Sequence, residues 1–82
     1  MRNFKIGDLV TWTSMMGHQY IGIFNGWDAR GKLKYKIAYS FKDRRILYYA
    51  GHINVYEENI RLSNESETEI YYHYEKRDRK TM

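Results

Sequence analysis

Leu33, Tyr35, Ile37, Tyr39 and Phe41 alternate with Lys32, Lys34, Lys36, Ala38 and Ser40 along residues 32–41. Side chains on an extended strand point to opposite faces with period two. The pattern therefore predicts an antiparallel strand with one buried apolar face and one wet face, the wet face carrying three lysines.

The flanking segments read the same way. Ile6-Gly7-Asp8 makes a turn into a β-branched and aromatic run in which Val10 and Trp12 share a face. Ser14 to His18 is a loop around Gly17, and Tyr20 to Trp27 is a second strand whose Gly22 and Gly26 mark bulges or bends. Asp28-Ala29-Arg30-Gly31 turns the chain, with Gly31 the expected positive-φ residue. After Lys42-Asp43-Arg44-Arg45, Ile46 to Ala50 returns as a fourth strand. A two- or four-residue loop pairs Phe41 with Ile46 and Tyr39 with Tyr48 and puts Leu47 and Tyr49 on the outer face with the lysines; a three-residue loop exposes Tyr48 instead. Gly51 to Tyr56 holds a short fifth strand, Glu57-Glu58-Asn59 a tight turn, and Ile60 and Leu62 return to the core. Five short strands with glycine-containing turns predict a mostly β domain, a small sheet bent strongly enough to close on itself.

That domain spans residues 1–62; residues 63–82 form a charged C-terminal tail. In the tail, Ser66-Glu67-Thr68-Glu69 fits a capping box, Lys76, Arg77, Arg79 and Lys80 suit a helix end, and Ile70, Tyr71 and Tyr74 fall on one stripe. The same residues alternate as a strand would, Ile70, Tyr72 and Tyr74 against Tyr71 and His73. The helix, docked by its tyrosines, is the favoured reading.

Gly7-Asp8-Leu9-Val10, Gly22-Ile23 and Val55-Tyr56-Glu57-Glu58-Asn59-Ile60-Arg61-Leu62 resemble the frame of SH3-like small barrels, nearest the Tudor and KOW types. Tudor-type domains similarly open with Gly-Asp-x-Val and close with a Leu-Arg pair, here Ile60-Arg61. The resemblance covers residues 5–62. It departs at Tyr49-Ala50-Gly51-His52, where the Tudor type has Tyr-Gly-Asn, and in the KOW glycines, of which only Gly17 and Gly22 are present. It implies a five-stranded SH3-like barrel. An aromatic cage for a methylated amine, which the Tudor likeness also implies, requires three or four convergent rings.

Charge narrows the function. The net charge is +4, and residues 30–45 set Arg30, Lys32, Lys34, Lys36, Lys42, Arg44 and Arg45 against a single acid, Asp43. Such a stripe concentrates phosphates and other polyanions. The ten aromatics from Trp12 to Tyr56 are too many for so small a barrel to bury entirely, and a tyrosine among lysines suits base stacking beside phosphate contacts. The expected binding residues are Lys32, Lys34, Lys36, Lys42, Arg44 and Arg45, with Tyr48 or Tyr49 packed on sugar or base. The partner is nucleic acid, DNA or RNA, or else an acidic protein engaged by a small, phage-encoded effector or inhibitor.

No catalytic, metal or cofactor site is expected. His18, His52 and His73 lie far apart without metal-ligand spacing, no cysteine is present, and no nucleophile elbow or glycine-rich phosphate loop occurs. Glu57 and Glu58 are adjacent and diverge on a tight turn. The start, Met1-Arg2-Asn3-Phe4-Lys5, lacks the apolar core of a signal peptide, and no run reaches membrane-spanning length. Together with heavy use of Ile, Lys, Asn and Tyr, these features suggest a cytoplasmic protein of a bacterium or of a phage-infected host cell.

Overall fold

The structure, a computed structural model, describes residues 4–48 and 51–80. It is mostly β with one C-terminal helix: β1 (Leu9–Thr13), β2 (Gln19–Trp27), β3 (Leu33–Ser40), β4 (Arg45–Leu47), β5 (Gly51–Ile53), a single 3-10 turn (Glu57–Asn59), β6 (Ile60–Leu62) and α1 (Glu65–Lys80). All pairings are antiparallel, in the order β4-β3-β2-β1-β6. β5 also pairs with β3, so β4 and β5 succeed one another along the same edge: β4 lies against Ala38 to Ser40, and β5 against Leu33 to Tyr35. The sheet path does not close.

Two bulges shape the sheet. Gly22 pairs with Ala38 and Phe24 with Tyr35, which leaves one extra residue in β3; Phe24 with Tyr35 and Trp27 with Leu33 leaves one extra in β2. Gly26 absorbs the second irregularity at φ +97°, a conformation nearly closed to other residues. The first bulge overturns the simple alternation expected for residues 32–41. Leu33, Tyr35 and Ala38 pack into one cluster with Val10, Trp12, Phe24 and Ile60, while Ile37, Tyr39 and Phe41 pack into another. Ala38 and Ser40, expected on the wet face, are fully buried. Ile53 of β5 on one edge and Ile60 of β6 on the other meet on the first cluster together with Val55 from the segment between them, so the sheet wraps around it. Gly22 is needed there. A Cβ at this position would lie 2.8 Å from both the Ile37 carbonyl oxygen and the Trp12 ring.

The second cluster, Ile21, Tyr39, Ile46 and Tyr71, is covered by α1. The helix begins two residues earlier than the capping box expected at Ser66. The Asn64 side chain accepts from the Glu67 N–H at 2.8 Å, and Glu67 Oε1 accepts from the Asn64 N–H at 2.9 Å. Glu67 also accepts from the Thr11 hydroxyl in β1 and pairs with Arg61 in β6. At the other end Asp78 Oδ2 accepts the Ile46 N–H of β4 at 3.0 Å. The helix thus crosses the sheet from β1 and β6 to β4, with Ile70, Tyr71 and Tyr74 inward.

The β3–β4 loop holds four residues, Phe41 to Arg44, with Ser40 opposite Arg45 and Tyr39 opposite Ile46. Neither expected register is realised, because Ile46 rather than Tyr48 is required under the helix. Arg44 closes the loop at φ +54°.

Candidate nucleic-acid interface

β3 positions the expected cations in two groups. Lys34 lies between the inward-packed Leu33 and Tyr35, so its side chain leaves the sheet on the opposite face, across from His52. Lys36 sits exposed at the bulge, and Lys32 is half-buried where the β2–β3 turn ends. Lys42, Arg44 and Arg45 are exposed at the other end of β3, where Arg45 pairs with Ser40, roughly 13 to 26 Å along the strand from the first group at about 3.3 Å per residue. The sequence pattern placed all six along one stripe. The bulge and the helix interrupt it.

The acids nearby are already engaged. Asp28 Oδ1 accepts the Arg30 and Lys32 backbone N–H groups at 2.8 and 2.9 Å, and Oδ2 accepts His52 Nδ1–H at 2.8 Å. The Lys32 N–H above all, with His52 and Arg30 adding to it against a desolvation cost, holds this carboxyl well below the usual carboxylate range. Asp43 is held by the Ser40 hydroxyl at 3.2 Å. Among the described residues, Arg30 pairs with Asp28 and Arg61 with Glu67, whereas Lys32, Lys34, Lys36, Lys42, Arg44 and Arg45 form no ion pair.

The helix enlarges the second group. Tyr74 packs on Tyr39 with ring centroids 4.7 Å apart, Arg77 lies over Tyr74 at 5.5 Å, and Phe41 meets Tyr39 edge-on at 5.1 Å. Phe41 and Tyr74 remain half-buried, and Lys76 is exposed on the same helix. Burial, then the neighbouring Tyr74 hydroxyl, pushes the Tyr39 phenol up, against the opposing charge of Arg44. Arg77 and Tyr74 were readable in the sequence only as the end and inner stripe of a helix; nothing there showed that they reach the β3–β4 loop.

Tyr48 is partly exposed, but its hydroxyl donates to the Glu75 carbonyl at 3.4 Å, which ties it to the helix. Tyr49 lies outside the described residues. His18 and His52, far apart in sequence, line one cleft of about 380 Å³; His73 stands on the helix beside Tyr74. Among the described residues no helix is long and apolar enough to cross a membrane. No family model, no curated protein and no solved structure matches the chain.

Proposed function

We propose that this protein is a non-enzymatic nucleic-acid-binding domain of the cytoplasm, built as an SH3-like small barrel of Tudor or KOW type, that grips the phosphate backbone along β3 and its loop. Lys34 and Lys36 on the open part of the outer face, with Lys32 beside them, form one set of phosphate contacts. Lys42, Arg44 and Arg45, joined by Lys76 and Arg77 of the helix, form the other. Phe41 and Tyr74, half-buried between those cations, offer rings to sugars or bases.

The observation that carries this reading is that, among the described residues, the six cations of the two groups have no carboxylate ion-pair partner in a chain with ten acids. A surface selected only for solubility intersperses both signs. Arg44 adds weight: it sits in the left-handed region, where glycine is cheaper and a side chain is kept at a cost. Phosphate contacts of this kind fix position without reading sequence.

The test is charge reversal. Lys34→Glu with Lys36→Glu and Arg45→Glu should abolish binding to mixed-sequence oligonucleotides while leaving the thermal midpoint nearly unchanged, since Lys36 and Arg45 are exposed and the half-buried Lys34 lies on the outer face without an ion pair among the described residues. Retained oligonucleotide binding in that variant would remove these residues from the interface. An acidic protein held by the unmodified chain, with no oligonucleotide bound, would assign the same cations to protein recognition.

A further inference from the structure

The β1–β2 loop and β5 border a shallow, open cleft of about 380 Å³, within the size range of small-ligand sites. One wall is aromatic. Tyr20 stacks on Trp12 with centroids 5.6 Å apart and 24° between planes, and Trp12, fully buried, is flanked by Tyr35 at 5.3 Å. The Tyr20 ring is therefore fixed before anything binds, and stacking on it loses little side-chain freedom. The lip is apolar and adaptable: Met15 and Met16 are 55% and 82% exposed.

The remaining wall is basic. Lys32, His18 and His52 line the cleft, and Lys32 has no ion-pair partner among the described residues. Asp28, bonded to His52, is occupied by four donors, two of them backbone N–H groups. Cation and imidazole beside a backed aromatic ring make a surface for an anion that carries a flat apolar group. An apolar side chain would leave the basic wall unused, and a simple anion would leave Tyr20 and the methionines unused.

His52 sits directly across from Lys34, and residues paired in this way share a face about 5 Å apart. The cleft therefore continues into the cations of β3. We infer that it is a subsite for one unpaired nucleotide of a strand lying along β3, the base against Tyr20 and Met15 and the phosphate toward Lys32, His18 and His52. The inference rests on the nucleic-acid reading and sharpens it: a paired base cannot enter, so single strands are preferred to duplexes.

Titrations of the full chain with a ten-nucleotide oligothymidylate, a ten-base-pair duplex and thymidine monophosphate test it, alongside Met16→Glu, a change at a side chain exposed enough to leave folding intact. The single strand should bind about tenfold more tightly than the duplex, the scale of one stacked base. Met16→Glu should remove that advantage, its added charge lowering duplex affinity by a smaller factor than single-strand affinity. Thymidine monophosphate should shift the Met15 and Met16 methyl and Tyr20 ring resonances of the unmodified protein. Equal affinity for strand and duplex, or an equal effect of Met16→Glu on both, would overturn the subsite while the β3 contacts stood. Binding of neither would end both readings. Cleft resonances that move with an acidic peptide and stay still with thymidine monophosphate would overturn it in favour of a protein ligand.

Discussion

Arg61 grips Glu67 with both prongs of its guanidinium, Nη1 to Oε1 and Nη2 to Oε2, each at 2.6 Å. The same carboxylate caps the helix at Asn64 and accepts the Thr11 hydroxyl, so one side chain joins β1, β6 and α1. Foremost the Arg61 bond, then the Asn64 N–H and Thr11, lowers the Glu67 pKa from 4.5 to about 2 against the cost of burial.

A carboxyl whose folded pKa lies below its unfolded value stabilises the fold above the unfolded pKa and loses that contribution as pH falls toward the folded one. The Glu67 contribution is therefore complete above about pH 4.5 and fades down to about pH 2. Glu67→Gln should cost about 1–3 kcal/mol at neutral pH. Urea midpoints followed from pH 6 to pH 2 should fall less steeply in the variant; parallel curves would contradict the role given to this carboxylate.

Tyr71 on the inner face of the helix is 2% exposed, whereas its neighbour Tyr72 is 52% exposed. Tyr71→Ala should cost about 3–5 kcal/mol as a large-to-small core change, and Tyr72→Ala less than about 1 kcal/mol. A chain ending at residue 64 uncovers Ile21, Tyr39 and Ile46 and should bind a hydrophobic dye, with cooperative unfolding weakened or lost. Denaturant unfolding of the three proteins, monitored by Trp fluorescence, checks the ranking.

Arg44→Gly releases a side chain from the left-handed region and should stabilise the fold by about 1 kcal/mol. It also deletes a proposed phosphate contact, so stability and affinity should move in opposite directions. A thermal melt and an oligonucleotide titration on the same sample make the comparison; a variant that gains stability and keeps full affinity would take Arg44 out of the interface.

The mostly β class was legible because Val10, Trp12 and the residues from Leu33 to Phe41 alternate as strands do, and because glycines mark the turns. The tyrosine stripe of Ile70, Tyr71 and Tyr74 foretold the docking helix. The faces of β3 were not legible. Its bulge against Gly22 and Phe24 shifts the alternation halfway along, and the second buried face exists only because α1 covers it, a long-range packing event that period-two counting cannot register. The cap was misplaced by two residues since Asn64 and Ser66 both suit a helix start; Glu67, wanted by Arg61 and Thr11, selects Asn64. The six cations were visible as a charge run. Their lack of acidic partners, and the meeting of His18 with His52 and Tyr20, depend on how distant turns fold together.

The central claim is that the unpaired cations along β3 engage phosphates, and salt dependence tests it most directly. Eight neutralised phosphates, one for each cation of the two sets, predict that log K for a mixed-sequence oligonucleotide falls with log salt at a slope of about −5.5 to −7. Lys34→Ala should reduce the magnitude of that slope by about one, with similar loss on every sequence. Binding that is absent at low salt from duplex DNA, single-stranded DNA and RNA alike would contradict the account.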